Sequence, residues 1–311
     1  MSWEWQAPPK VWIRDVSPRD GLQAEKVIVS TEDKVSLVDQ LTHAGVPRIE
    51  VTSFVSPKWL PQMADAEQVM AKIARRADVV YSVLVPNPVG AERALATHPD
   101  EMTVFVSASE THNQKNVHRT IDESLKGFAE ISAMARSHGV VLSAVIVTAF
   151  GCPYEGTVPL SQVLGLAERL RDMGIHELAL GDTVGVANPR QVAHVVQAFR
   201  EKLPDISLAL HFHDTRGTAL SNLLAAVGSG ASRFETALGG IGGSPFSPGA
   251  GGNLSTEDTV YCLDEMGIET GIDLDQLLQT ARFLVEKLGH DVPAKVFHAG
   301  GKMIPVNASK S

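Results

Sequence analysis

Short apolar, β-branched runs alternate with longer segments of helical periodicity along almost the whole chain. The runs at 11–15, 48–52, 79–85, 102–107, 140–147, 177–181, 207–212 and 233–237 predict eight strands. Between and after them, helical patterns lie near 31–44, 65–76, 88–97, 120–138, 160–173, 189–202, 217–229 and 256–266. In the fifth of these, Leu160, Val163, Leu164, Ala167 and Leu170 recur at three- and four-residue spacing, with charge on the opposite face. Several of the strand runs read as apolar throughout, as strands covered on both faces should.

Strict strand–helix alternation predicts a parallel sheet, and eight strands are the number that closes a (β/α)8 TIM barrel. The rival architecture is an open doubly wound sheet, which expects G-x-G-x-x-G after the first strand; SPRDGLQ stands there instead. One more helix follows, LDQLLQTARFLVEKLG from Leu274, and then a Gly-, Lys- and Ser-containing end. The expected organisation is therefore a barrel domain over 8–272 and a short C-terminal helical extension with a frayed tail over 273–311.

Composition narrows the partners. The 311 residues carry 27 Lys+Arg against 36 Asp+Glu, a formal net charge of −9. That balance argues against broad nucleic-acid or anionic-membrane binding and leaves room for a few local cations. The two cysteines, Cys152 and Cys262, are too few for a disulfide-stapled secreted domain. The start, MSWEWQAPPKVWI, has no cationic segment followed by an apolar one, and no run approaches 18 apolar residues. A cytoplasmic location, with no membrane contact, is expected.

The polar residues that interrupt the strands gather at one end of the predicted barrel. Asp20 follows the first strand, Glu50 lies on the second, and Asp182 ends the sixth. His211 and His213 end the seventh, and Asn253 follows the eighth. Barrel enzymes build their sites at that C-terminal face. Residues two apart on a strand point the same way, so the imidazoles of His211 and His213 would project together into the mouth. Strand-end histidines bonded to neighbours are the plain alternative. With Asp20 and Asn253 nearby, an N2O2 donor set with open positions suits Mg²⁺ or Mn²⁺ better than a closed zinc site.

Each of the other residues has a bland reading beside its chemical one. Asp20, before Gly21, has the form of a turn residue, and Arg19 that of a solvated charge. Beside a metal-bound Asp, Arg19 would stabilise a developing oxyanion. Glu50 sits inside a strand, where a charge needs a partner or a task. Asp182 either caps the next turn or serves as a base or support to a ligand histidine. The glycine-rich run 239–254 reads as a linker or as a mobile loop closing over the site, and its Ile241, Pro245, Phe246 and Leu254 favour the loop. The segment 53–63 reads as a second lid element. Cys152 reads as a buried filler sooner than as a reactive thiol. Lys26, Lys58, Lys115 and Arg119 fall in loops at the same face, as solvated charges or as contacts for a nucleotide phosphate. No Walker A sequence, G-x-S-x-G elbow or C-x-x-C pair is present.

Six blocks carry a family resemblance: SPRDGLQAEK (17–26), EVTSFVSPKWLPQM (50–63), FGCPYEG (150–156), LGDTVGVANP (180–189), HFHDTRGTALSN (211–222) and GGNLSTEDTVYCL (251–263). Over roughly residues 11–290 the chain resembles the 3-hydroxy-3-methylglutaryl-CoA lyases, a branch of the metal-dependent (β/α)8 lyases and Claisen enzymes. The resemblance implies cleavage of an acyl-CoA substrate to acetyl-CoA and acetoacetate with Mg²⁺ or Mn²⁺. By position it makes Asp20, His211, His213 and Asn253 the metal ligands and Arg19 the group that stabilises the enolate. It also places Glu50 and Asp182 among the acidic residues of the active site. Dimers are common among such barrels, so a homodimer is expected.

One position departs from that pattern. The family's glycine-rich loop reads G-x-G-G-C-P, with the cysteine as a catalytic acid/base, and this chain has Ser244 there. A hydroxyl is a far weaker acid than a thiol. Three outcomes follow: Glu50 or Asp182 moves the proton, directly or through water or Ser244; the substrate is another 3-hydroxyacyl-CoA, citramalyl-CoA-like or longer-branched; or the barrel binds acyl-CoA with little turnover. A Claisen-type synthase is the remaining relative in chemistry, and the chain ends too soon after the barrel to hold the regulatory domain such synthases often carry.

Overall fold

A computed structural model of the chain describes residue 5 and residues 7–243 and 251–301. Its eight strands are β1 (Trp12–Asp15), β2 (Arg48–Ser53), β3 (Val80–Leu84), β4 (Glu101–Ser107), β5 (Val141–Val147), β6 (Glu177–Asp182), β7 (Ser207–Phe212) and β8 (Arg233–Thr236). Each pairs in parallel with the next, and β8 pairs with β1, which closes the barrel. Helices α1 (Thr31–His43), α2 (Ala66–Lys72) and α3 (Pro88–Leu95) follow β1 to β3. After β4 come two helices, α4 (Glu110–Val117) and α5 (Ile121–His138). Then α6 (Leu160–Asp172), α7 (Pro189–Lys202), α8 (Ala219–Gly228) and α9 (Thr256–Glu265) follow β5 to β8. Two C-terminal helices complete the fold, α10 (Leu274–Leu288) and α11 (Lys295–Ala299). The fold is a (β/α)8 barrel with a short helical extension.

Local chemistry explains where the helices begin. Ser30 caps α1 by accepting from the Asp33 N–H, and Asn188, followed by Pro189 in the first turn, caps α7. Thr120 and Glu123 form a reciprocal capping box at α5. The helix α4 (ETHNQKNV) carries almost no apolar positions, so periodicity gave no signal for it; the Ser109 cap starts it and His118, in left-handed conformation, ends it. The five-residue α11 escaped for a different reason: Asp258 on α9 accepts from the Lys295 and Val296 N–H groups at 3.0 and 2.7 Å and holds it in place.

Apolar side chains fill the space between the sheet and its helices, with Ile13, Leu37, Leu41, Ile49, Phe199 and Phe234 fully buried. The strands are not apolar throughout, however. Buried Arg14, Glu101 and Glu235, together with Arg48 and Glu177, form an ion cluster within and below the barrel. Arg14 is shared by Glu101 and Glu235, and Arg48 by Glu101 and Glu177. Such charges persist in a low-dielectric interior only when paired, and five of the eight strands, β1, β2, β4, β6 and β8, each contribute one member, two cations against three carboxylates. The helix α10 lies against α1, where the Asp273 N–H donates to the Ala44 carbonyl at 2.8 Å. Among the described residues no helix is long and apolar enough to cross a membrane.

Candidate metal centre

The first wall of the site is the turn after β1. Residues Ser17–Gly21 (SPRDG) form a single π-helical turn in which the Arg19, Asp20 and Gly21 N–H groups all point at the Val16 carbonyl. Buried Asp15 anchors it: one oxygen accepts the Ser17 N–H at 2.8 Å and the other the Thr256 hydroxyl at 2.7 Å. Gly21 packs closely there: a Cβ would stand 2.6 Å from the Ile241 side chain, which would have to shift. The turn therefore seats against the segment after β8 and presents Arg19 and Asp20 together. Asp20 thus lies in a turn, as the turn reading expects, and its carboxylate is presented to the mouth of the barrel.

The opposite wall is the end of β7 and the segment that returns along it. The Asp214 N–H donates to the Gly252 carbonyl and the Leu254 N–H to the Phe212 carbonyl, both at 2.8 Å. This antiparallel bridge puts Asn253 across from His213. Alternation along β7 sends His211 and His213 to the same side, as their spacing predicts, and their Nε2 atoms face each other at 3.2 Å. One ligand atom each from Asp20, His211 and His213 lies within 4.8 Å of the others.

Asn253 completes the set. Its Nδ2 donates to Asp20 Oδ2 at 2.8 Å and to the Ile241 carbonyl at 3.1 Å. Two acceptors around the nitrogen fix the amide, since the flipped form would set oxygen against oxygen. Its Oδ1 is then buried and accepts no hydrogen bond. A buried amide oxygen without a donor is costly, and a divalent cation is the natural partner for it. The donors present, two imidazole nitrogens, a carboxylate and an amide oxygen, fit such an ion.

Electrostatics support this arrangement. Burial opposes ionisation of Asp20, yet Arg19 and the two histidines outweigh it and hold its carboxyl below the usual range. Burial and the neighbouring His211 push His213 down to about 4, which keeps its imidazole neutral and able to coordinate. Arg19 is fixed by Glu50, whose Oε2 accepts Nε and Nη2 at 2.5 Å, while Nη1 reaches Asp20 Oδ1 at 2.7 Å. Burial raises Glu50 to about 7 against the pull of Arg19, with Glu235 adding to the rise. Glu50 thus has both a partner and a pKa suited to proton transfer near neutrality.

The remaining candidates divide. Asp182 accepts the Val186 and Ala187 N–H groups at 2.9 and 3.0 Å, one on each oxygen, so it holds the turn after β6 as the capping reading expects. Cys152 is buried, with the Tyr154 and Glu155 N–H groups and the Ser109 hydroxyl around its sulfur. Lys26, Lys58 and Lys115 are exposed beyond the C-terminal ends of β1, β2 and β4, and Lys115 lies over the Tyr154 ring at 4.5 Å. In the 53–63 segment Phe54 and Met63 are buried and Trp59 is exposed. Ser244 lies outside the described residues, as does the centre of the glycine-rich loop; its described flanks, Leu238 to Ile241 and Asn253 to Leu254, are buried.

Besides Asp15, two acidic residues of the site were not singled out from sequence. Glu235, in RFETA, stands 3.1 Å from His211 Nδ1 through Oε2. Glu257 accepts the Gly239 N–H and the Ser255 hydroxyl at the root of the glycine-rich loop. The rule that drew attention to Glu50, a charge inside a predicted strand, applies equally to Glu235. Nothing in the pattern marks Glu257, which sits where a helix N-terminus ordinarily carries an exposed acid.

Comparison with known proteins agrees with the geometry. The HMGL-like family model matches residues 10–284. Hydroxymethylglutaryl-CoA lyase YngG of Bacillus subtilis is 47% identical over 288 residues, covering 93% of this chain and 96% of that protein. The bovine mitochondrial hydroxymethylglutaryl-CoA lyase is 43% identical over 296 residues, covering 95% and 91%. A crystal structure of an Acinetobacter baumannii HMG-CoA lyase, in complex with coenzyme A and 3-methylmalate, superposes with a TM-score of 0.91 at 44% identity, covering 96% of this chain and 98% of that one. The chain belongs to the HMGL-like family of carbon–carbon lyases.

Proposed function

We propose that the protein cleaves 3-hydroxy-3-methylglutaryl-CoA to acetyl-CoA and acetoacetate, with Mg²⁺ or Mn²⁺ held by Asp20, His211, His213 and Asn253. The observation that carries the reading is the orphaned Oδ1 of Asn253, buried beside a carboxylate and two convergent imidazoles. The names of the relatives described above, hydroxymethylglutaryl-CoA lyases, favour this substrate over other 3-hydroxyacyl-CoA thioesters. When bound, the ion supplies Lewis acidity and a chelating centre for the oxygens of the substrate. Three neutral donors and one carboxylate leave the centre a formal charge near +1, and two oxygen donors beside two imidazoles, with positions left open, suit a six-coordinate Mg²⁺ or Mn²⁺.

The chain's own residues do the rest. The tertiary hydroxyl of the substrate gives up its proton to a base, the adjacent C–C bond breaks, and the hydroxyl carbon becomes the ketone of acetoacetate. The electron pair moves into the thioester as an enolate, which is protonated to acetyl-CoA. Glu50, raised to about 7, fits the proton-handling role better than Asp182, whose oxygens both hold backbone. Arg19 is held by Glu50 and Asp20, so its charge is aimed before the enolate forms and little reorganisation is needed. Asp182 then acts by fixing the turn after β6, and Ser244 stands as the hydroxyl that relays the proton in place of a thiol. Lys26, Lys58 and Lys115 meet the phosphates of CoA. A homodimer in the cytoplasm completes the proposal, in keeping with two cysteines that are both free.

The test is a steady-state assay of purified protein with 3-hydroxy-3-methylglutaryl-CoA and Mg²⁺. Acetyl-CoA and acetoacetate should appear in equal amounts, stop with EDTA and return with Mg²⁺ or Mn²⁺. Turnover of a different 3-hydroxyacyl-CoA alone would reassign the substrate, and CoA binding without turnover of any thioester would refute the lyase reading.

A further inference from the structure

The charges inside the barrel form an unbroken chain that ends at the metal centre. Arg233 stands 3.6 Å from Glu177, which meets Arg48 at 2.7 Å, and Arg48 and Arg14 share Glu101. Arg14 Nη1 then reaches Glu235 Oε1 at 3.2 Å, and Glu235 Oε2 stands 3.1 Å from His211 Nδ1. Strand register sets up the last two links: Glu235 lies opposite Arg14 in the β8–β1 pair and opposite His211 in the β7–β8 pair. All three side chains are buried.

The geometry points to Glu235 as a positioning residue for the metal centre, one that fixes the tautomer and the ring angle of His211. This rests on the reading that the cluster takes a divalent ion. An ionised carboxylate only accepts, so the imidazole must carry a proton on Nδ1, and the neutral ring that coordinates an ion then has its lone pair on Nε2, directed at Asp20 and His213. Bidentate engagement, Oε1 to Arg14 and Oε2 to His211, prevents the carboxylate from turning away. Arg14 is itself clamped by Glu101 across the barrel. His213 has a softer version of the same device, with Nδ1 3.3 Å from the Gly251 carbonyl. Glu235 therefore couples the rigid floor of the barrel to one ligand, and the ligand needs no reorientation when the ion arrives.

The test uses Mn²⁺ alone, followed by the electron paramagnetic resonance signal of the free ion, on wild type, Glu235→Gln and Glu235→Ala. The Gln variant keeps the size and one acceptor; circular dichroism and thermal melts of the metal-free proteins report folding. Both variants should bind Mn²⁺ about 10- to 100-fold more weakly. Turnover of the Gln variant should recover toward wild type at saturating Mn²⁺, because the residue acts through the ligand. A role confined to folding would lower the melting midpoint and leave the Mn²⁺ affinity alone. A folded Gln variant with the wild-type Mn²⁺ affinity would overturn the proposal. Independently of any variant, ¹⁵N NMR of metal-free wild type should show a proton on His211 Nδ1, and a neutral ring protonated on Nε2 alone would overturn it equally. Wild type that takes up no Mn²⁺ would sink the metal reading itself, with the tautomer measurement left to decide Glu235.

Discussion

Gly252→Ala is a perturbation whose size follows from the coordinates. A Cβ at Gly252 would lie 1.7 Å from the Gly240 carbonyl oxygen, where real Cβ atoms essentially never come within 3.0 Å, so about 1.3 Å of separation must be found. Both sides of the contact are backbone. The Gly240 N–H is tied to the Ala237 carbonyl at 2.9 Å, and the Gly252 carbonyl accepts from Asp214 at 2.8 Å. Neither can rotate away alone, so the displacement passes to Asn253 and to its partner Asp20. Metal sites tolerate ligand displacements of about 0.2 Å, and misplacement by about 1 Å at a reacting centre costs on the order of 10²-fold. The account therefore expects kcat/KM to fall about 10²-fold or more and Mn²⁺ affinity to drop. Overpacking should cost about 1–3 kcal/mol of stability. Gly165→Ala on α6 is the control: a Cβ there meets nothing within 4 Å, and Ala should add about 0.5–1 kcal/mol with activity unchanged. Steady-state kinetics, Mn²⁺ titration and thermal melts read all three quantities. Wild-type kinetics and metal affinity in Gly252→Ala would refute the claim that the 239–243 and 251–253 segments are packed against each other to place a ligand.

Other expectations follow from the same geometry. Asp20→Ala and His213→Ala should each cost at least about 10²-fold in Mn²⁺ affinity and remove metal-dependent turnover; full turnover in either would undo the ligand assignment. Ser244→Cys, which restores the thiol of the family's loop, should raise turnover of 3-hydroxy-3-methylglutaryl-CoA, and an unchanged rate with a titratable thiol at 244 would point to another acyl group. Glu257 has its folded pKa raised by burial to about 8 from an ordinary 4.5. Its contribution to stability is therefore complete below about pH 4.5 and is lost as pH rises through 8, at a slope of up to about 1.4 kcal/mol per pH unit. Urea unfolding should show wild type losing more stability than Glu257→Gln between pH 5 and 9, and equal losses would contradict the buried-acid account.

Much of the fold was legible because each strand–helix unit repeats one pattern. The predicted strands match the observed ones to within a residue at every end, since β-branched runs bounded by turn residues have few other uses. The illegible parts had no repeating signal. Polar α4 depends on the Ser109 cap, α11 depends on Asp258 far away in sequence, and α2 stops at Lys72 where Ile73 turns extended. The ion cluster of Arg14, Arg48, Glu101, Glu177 and Glu235 is spread over five strands, so only closure of the barrel brings its members together. At the site, the spacing of His211 and His213 was enough to set them side by side. Asp20 and Asn253 are 233 residues apart, and their 2.8 Å contact is a product of the β1 turn meeting the return segment beside β7. The support layer, Asp15, Glu235 and Glu257, stayed hidden because its role depends on which neighbour the fold supplies.

The central claim is that these four side chains hold one divalent ion at the mouth of the barrel. Anomalous diffraction from crystals grown with Mn²⁺ tests it most directly. A single strong Mn²⁺ peak within bonding distance of the Asp20 carboxylate, Nε2 of His211 and His213 and Oδ1 of Asn253 is the predicted result. Fully ordered crystals with no peak there, or a peak coordinated elsewhere, would contradict the account.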